Sequence, residues 1–367
     1  MADALSMFDG LTERARDVLF ALAELSGPPP DGRFVNCADL LAHVFRVPVS
    51  AIPSLEDALH ARYPPPPWSR IPTREDIDAL AARALASFRL EEATVDPLLA
   101  PADDLYAAIV EMTLPHRTAL PLLQGSGHLG TADEDPPADC LYTEVRLAPR
   151  ATRLLDLDRR GARLPLAFVT GSPPPGIPPF AVASVARACL DLLADPRAEV
   201  DLGAPVVPSG SAALSSSSAR AFATTGRAEI VLEGAAELSP SGELFVRALP
   251  WRESKAAWIC ALGEAMRRDE VPGIADVWDL TRDDDPPLAR IRIDVAPGAS
   301  PERALATIEE RLVRRRAVEL RVLVDEREVV LAPRDALLHF VDWRAHQLGS
   351  RARLGAELEA LAAPAGA

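Results

Sequence analysis

Four stretches follow one another between residues 105 and 147: Leu105-Tyr106-Ala-Ala-Ile109-Val110-Glu-Met112, Gly125-Ser126-Gly127-His128-Leu-Gly130, Asp133-Glu134-Asp135, and Leu141-Tyr142-Thr143-Glu144-Val145-Arg146-Leu147. The first ends a helix predicted over 102–112. Residues 115–137, rich in Gly, Pro and Asp, read as loop, and 139–147 enters either a helix or a strand, a choice periodicity does not decide. The glycines fit GxGxxG, but a dinucleotide loop needs a hydrophobic strand before it and a helix opening on its last glycine. Pro115 and Pro121 precede it and Asp133-Glu134-Asp135 follows, whose carboxylates would repel a pyrophosphate. A tight structural loop is the better reading. Ser126, His128 and Asp133 lie close in sequence, which is not triad geometry. Tyr142 alone, flanked by apolar residues, reads as a core tyrosine.

Upstream, Leu11, Val18, Leu19, Leu22 and Leu25 recur at helical spacing, and Gly27 followed by three prolines ends that helix. A short helix is expected from Cys37 to Phe45, then a rigid break at Pro64–Pro67 and a helix at about 73–88. Downstream, a proline-rich break at Pro173–Pro179 leads to a helix at about 181–194, and Ser209–Ser218 reads as a polar loop. Strands are expected at 228–233, 243–249, Ala289–Val295 and Glu319–Val324, with Glu328–Leu331 as the far arm of a hairpin. Helices are expected at 253–268 and 301–313, and one amphipathic helix from Pro333 to about Leu361. The pattern is α+β.

The 367 residues suffice for two or three domains, and the hydrophobic fraction of 48% marks a globular chain. Apolar runs fall short of the roughly 20 residues of a membrane span and no basic-then-apolar leader opens the chain, so the cytoplasm is expected and a membrane is not. Cys37, Cys140, Cys189 and Cys260 form no CxxC pair and read as buried free thiols. Asp133-Glu134-Asp135 and Asp283–Asp285 offer hard oxygen ligands but read as solvated acidic turns, so no metal site is assigned. Arg314-Arg315-Arg316 suit either a phosphate or the C-terminus of a helix; we adopt the second. A net charge of −15 argues against indiscriminate binding of nucleic acid.

Taken together, residues 105–147 resemble the cleavage segment of the DNA gyrase/topoisomerase IV A subunits, the bacterial type IIA topoisomerases. There a Tyr-x-x-Ile-Val-x-Met helix leads to Gly-x-Gly-x-x-Gly, an Asp-x-Asp turn and Arg-Tyr-Thr-Glu-x-Arg-Leu. Other pieces agree in order: Phe8-Asp-Gly-Leu11 with Arg16; Ile177-Pro-Pro179; Thr225-Gly226-Arg227 with Ile230-Val231-Leu232; Ala248-Leu249-Pro250-Trp251 through Lys255; Pro272–Asp276; and Arg334–Arg344. The resemblance implies a winged-helix-type DNA-gate domain over 1–155 with an insertion near 46–100, a tower-like α+β domain over 156–332, and a C-terminal helix over 333–367 that begins a truncated coiled coil. It implies Tyr142 as the nucleophile that forms a phosphotyrosyl bond to DNA, with Thr143 and Glu144 as its context. Arg16, Gly125, Gly127, His128, Gly130 and Arg146 would face DNA. A homodimer through the gate domain is expected, and Mg2+ and ATP would come through a gyrase B-type partner, with no cofactor in this chain.

The departures fall on the chemistry. Leu141 stands where the family has its catalytic arginine, and Ala100-Pro-Ala-Asp103-Asp104 stands where it has His-x-His-Gly-Asp. Its basic run matches Arg33–Asp39, where an acid replaces a base. The loop with its DNA-wedging isoleucine is missing around Ser172–Gly176, and Ile177 is a poor substitute. Residues 1–150 hold 12 arginines against 23 carboxylates. Arg117 and Arg146 are candidates for the role Leu141 vacates. The expectation is a catalytically impaired relative serving as a DNA-associated or protein-interaction module; the alternative is an active DNA-cleaving protein.

Overall fold

The computed structural model describes residues 5–6, 10–27, 32–52, 99–132, 135–171, 177–281, 289–324 and 327–363. The helix expected at 73–88, the Asp283–Asp285 turn, the Ser172–Gly176 gap and most of the 46–100 insertion lie outside these.

Strand β1 (Leu5–Ser6) precedes α1 (Glu13–Ser26). Helix α1 starts where the Thr12 hydroxyl accepts the Ala15 N–H at 3.1 Å, a standard N-cap. Strand β2 (Val35–Asn36) runs directly into α2 (Cys37–Phe45). After α3 (Leu99–Thr113) come β3 (Leu123–Ser126) and β4 (Glu144–Leu147), which form an antiparallel sheet with β4 between β2 and β3. The expected loop at 115–137 therefore contains a strand. The ambiguity at 139–147 resolves into a 3-10 turn, Cys140–Tyr142, followed by β4. Strand alternation buries Val145 and Leu147 and turns Glu144 outward.

Helix α4 (Pro149–Leu154), the short hairpin β5 (Leu155–Asp156) and β6 (Gly161–Ala162), and α5 (Ala167–Thr170) lead to α6 (Val182–Ala194). Strand β7 (Ser211–Ala213) and α7 (Ser216–Thr225) occupy most of the expected Ser209–Ser218 loop. Then come β8 (Arg227–Glu233), β9 (Ala235–Leu238), β10 (Leu244–Ala248), α8 (Lys255–Arg267), β11 (Ile274–Asp279), β12 (Ile291–Val295) and α9 (Pro301–Arg311). Strands β13 (Val313–Glu319), β14 (Arg321–Val324) and β15 (Arg327–Val330) complete the sheets. Their orders are β11-β12-β10-β9, β13-β8-β7 and β1-β14-β15, where β1 is parallel to β14. The overall class is α+β, as expected.

Arg314-Arg315-Arg316 is a correction. It lies inside β13, in continuous register with β8, not at a helix end. Its charge is met by carboxylates: Arg314 reaches Glu253 at 2.8 Å and Arg315 reaches Glu229 at 3.1 Å.

The C-terminal segment is a second correction. The expected single helix is two, α10 (Pro333–Leu348) and α11 (Arg351–Ala362). Gly349 takes the left-handed conformation that ends α10 (φ 62°), and the Ser350 hydroxyl caps α11 through the Arg353 N–H. The pair folds back on α6. Leu354, Leu358 and Leu361, one stripe of α11, are buried, each contributing about 1.5–3 kcal/mol relative to exposure.

Two main cores result. One joins α1–α6 to Leu320, Val322 and α10–α11, so it crosses residue 155; the other lies between α8, α9 and strands β10 and β12. Arg344, fully buried in the first, donates to Asp156 at 2.7 Å and to Glu357 at 2.9 Å. Burial alone would raise the Asp156 carboxyl, but bonds and charge from Arg344, then Arg163 and Arg159, hold it below its ordinary 3.8. Among the described residues no helix is long and apolar enough to cross a membrane.

Replacing Arg344 with Met leaves Asp156 with Arg159 and Glu357 with Arg163 as remaining partners, and urea unfolding at neutral pH is expected to show a loss of about 3 kcal/mol, the low end for a broken buried pair. Because the Asp156 value is depressed on folding, its share is fully present above the ordinary value and lost as pH falls through the depressed one. The gap between wild type and Arg344→Met should therefore shrink in acid below pH 3.8. A gap constant down to about pH 2 would contradict the assignment.

Candidate functional site

Tyr142 stands at the tip of the turn between β3 and β4, and its side chain is 67% exposed. It is not the core tyrosine that its apolar neighbours suggest when read alone. Four elements fix the turn beneath it. Asp139 caps the 3-10 turn by accepting the Leu141 N–H at 3.0 Å. Asn36 works in two directions: Oδ1 accepts the Ala38 N–H at 2.9 Å, starting α2, and Nδ2 donates to the Leu141 carbonyl at 2.8 Å. The Cys37 N–H donates to the Thr143 carbonyl at 2.9 Å. From α3, the Tyr106 hydroxyl donates to the Ala138 carbonyl at 2.6 Å and lies 2.9 Å from the buried Thr143 hydroxyl.

The glycine loop forms the other wall. Gly127 has φ 85°, and a Cβ there would stand 2.6 Å from the Tyr142 carbonyl. Gly130 has φ 101° and faces the Asp135 carbonyl, while the Ala138 N–H donates to the His128 carbonyl at 2.8 Å. Gly125 lies against Leu129 and Thr113. No helix opens on Gly130, so the dinucleotide geometry is not built. Ser126 and His128 are both exposed and Asp133 lies outside the described residues.

Beneath the turn the groups are dry. Burial pushes the Cys37 thiol up to about 11, the Tyr106 phenol to about 12 and the Cys140 thiol to about 12, the last aided by Asp139. Such groups anchor rather than react. Cys189 is likewise buried, but Cys260 is exposed on α8, which corrects the expectation of four buried thiols.

The charged residues nearest Tyr142 in sequence, Asp139 and Glu144, are both acidic. Asp39 in the first turn of α2 and Glu144 are exposed. Burial, then Asp104 and Asp139, raise the Asp103 carboxyl, placing these acids within electrostatic reach of one another at the turn's base. Among the described residues the Tyr142 side chain has no hydrogen-bond or ionic partner, and Leu141 beside it is 41% exposed. Neither candidate arginine fills the gap. Arg146 donates to Gln124 at 3.0 Å and lies over the Phe34 ring at 4.5 Å. Arg117, beyond the C-terminal end of α3, faces Glu111 at 3.6 Å. Tyr106, which touches the turn, is seven residues before that helix end, about 10 Å along its axis. Arg16 donates to the Arg160 carbonyl in the β5–β6 turn at 2.9 Å. Asn36 and the Tyr106 hydroxyl were missed as site residues, although an Asn directly before a helix carries a capping signal.

A rigid turn that displays a tyrosine beside a glycine loop, in an α+β chain, can be set against known proteins. The family model for the DNA gyrase/topoisomerase IV A subunits matches residues 175–362. The chain belongs to this family. It is 25% identical over 288 residues to the chloroplastic/mitochondrial DNA gyrase A subunit of Arabidopsis thaliana, covering 68% of this chain and 30% of that one. It is 28% identical over 214 residues to the DNA gyrase A subunit of Synechocystis, covering 48% and 25%. With the DNA gyrase A subunit of Dehalogenimonas lykanthroporepellens it shares 25% over 299 residues, covering 71% and 36%. The chain thus spans about a quarter to a third of the length of these gyrase proteins. The family-matched span begins after the tyrosine turn. Among the described residues no group of three or more His, Cys, Asp or Glu side chains is placed to hold a metal ion.

Gly127→Ala puts a side chain into a left-handed backbone and against the Tyr142 carbonyl. The expected loss is about 2–3 kcal/mol, read as a lower urea midpoint. A neutral substitution would mean that the loop does not brace the turn.

Proposed function

We propose that this gyrase A-family chain is a catalytically impaired relative that keeps the fold around Tyr142 and uses its surface for protein contacts or weak DNA contacts. In this reading β2, α2, β3 and β4 belong to a winged-helix-type DNA-gate domain over 1–155. Residues 156–332 correspond to a tower-like domain, and the C-terminal helices to a truncated coiled coil. The protein acts in the cytoplasm as a homodimer through the gate domain. The observation that carries the reading is Leu141, exposed beside a Tyr142 whose hydroxyl lacks a described partner. In the transferred step the phenol oxygen attacks a phosphorus atom and negative charge grows on the phosphate oxygens. A leucine offers no hydrogen bond to that charge, and losing one such donor costs on the order of 10²–10³ in rate. Asp39, Asp139 and Glu144 add repulsion in place of attraction.

A second reading has its own support. The Tyr142-Thr143-Glu144 context is intact and the tyrosine is presented to solvent on a braced turn, as a nucleophile would need. Tyr142 would then form a transient phosphotyrosyl bond to DNA as one ester P–O bond of the backbone breaks and the phenol proton is passed on to the departing sugar oxygen, which leaves as a hydroxyl, with a gyrase B-type partner supplying Mg2+ and ATPase.

Supercoiled plasmid incubated with the full chain and Mg2+ or Ca2+, with and without a gyrase B-type partner, then quenched with detergent, separates the two. No protein-linked nicked or linear DNA is expected, down to a level about 10²-fold below an active gyrase A protein. Linked product that disappears in Tyr142→Phe would overturn the impaired reading and establish the nucleophile.

A further inference from the structure

Away from the tyrosine, a half-open cleft of about 200 Å³ lies between the turn after α3, the exit of the glycine loop at Thr131, and the N-terminal end of α8. His116, Arg117, Arg252 and Lys255 line it, with the Ser209 and Ser254 side chains. Its charge runs against that of the chain. Arg117 and Arg252 share Glu111, at 3.6 and 2.7 Å. Lys255, the chain's one lysine, faces Asp279 at 2.8 Å. Glu253 also lines the cleft, and Arg314 and Arg316 share it from behind, at 2.8 and 3.8 Å. Among the described residues these pairs set five cations against three carboxylates, and Asp135, which accepts from the lining Thr131 at 2.9 Å, is a fourth, in a chain whose net charge is −15.

The arrangement holds its cations at a cost. Arg252 has φ 62°, a conformation an arginine seldom adopts, and its guanidinium is largely buried over the Trp251 ring at 5.0 Å. Burial, together with Arg117 and Arg316, disfavours its charged form despite Glu111. Strained, mutually repelling cations gathered in a cavity are what a bound anion would relieve. The N-terminus of α8, a 13-residue helix, adds a favourable dipole on the same side.

We propose that this cleft binds a phosphoryl group, the terminal phosphate of a small molecule or of a nucleic acid end. The surplus of cations matches an anion, and guanidinium, ammonium, imidazole and hydroxyl groups around a small cavity suit tetrahedral oxygens better than a planar carboxylate. The cavity admits a phosphate and a few further atoms, not a duplex. The site is independent of what Tyr142 does.

The test titrates the full chain with pyrophosphate by calorimetry. One saturable site is expected, with Arg117→Gln and His116→Gln together weakening it at least about tenfold. Both replaced groups avoid the deep core, and a thermal melt verifies that the double variant folds. Arg268→Gln, at the far end of α8, should bind as the wild type does. Displacement of pyrophosphate by a 5′-phosphorylated oligonucleotide but not by its unphosphorylated twin would support the site with a nucleic acid end as source. Displacement by neither would support it with a small molecule as source. No saturable binding by the wild type, or equal binding by the double variant, would overturn the proposal.

Discussion

The Cys37 N–H bond to the Thr143 carbonyl fastens the start of α2 to the turn that carries Tyr142. Much around it depends on that closure. It extends the β2–β4 ladder by one rung, so the sheet continues into the helix N-terminus without a loop between them. Asn36 then serves helix and turn with one side chain, and Tyr106 locks the far side from α3. Backbone groups of the turn that would otherwise be orphaned find partners, which is the condition for holding an irregular segment rigid. The exposed tyrosine is therefore displayed by a buried, well-bonded base.

That base and its surface follow different logic. Below the turn lie thiols and a phenol whose ionisation burial suppresses. Above it stand Leu141, Tyr142 and several carboxylates. In the proposed reading the packing that would position a nucleophile is kept, while the electrostatics that would stabilise a phosphate are not. The cations have instead gathered elsewhere, around Glu111 and Glu253, where α8, β13 and the turn after α3 converge. The same chain thus carries an acidic surface where its family resemblance leads one to expect a basic one, and a basic cleft elsewhere.

Much of the fold was legible because local signals and burial agree. The Cys37–Phe45 helix was readable from its apolar spacing, and the hairpin at 321–330 from its β-branched runs. Three features escaped. The turn at 139–142 and β4 share one apolar run, so no period separates them. The arginine run at 314–316 carries no periodicity, and its strand exists because β8 supplies a full ladder. The segment from Pro333 to about Leu361 reads as one amphipathic helix, although Gly349-Ser350 is a stop followed by a cap. In the site, the glycines and Tyr142 were singled out only by the resemblance to the gyrase A family, since Tyr142 read alone passes for a core residue. The work of Asn36 and Tyr106 was not legible, since both reach across more than 30 residues to the turn. The basic cleft was invisible in sequence for the same reason.

In the proposed function the braced tyrosine surface does not attract phosphate. That reading is tested most directly by the salt dependence of duplex DNA binding to the full chain, measured by fluorescence anisotropy. The account predicts binding weaker than about 10 μM at physiological salt, with a log K against log salt slope no steeper than about −2, the release of a couple of counterions. Sub-micromolar binding with a slope of about −6 or steeper would show a working phosphate-binding saddle and contradict it.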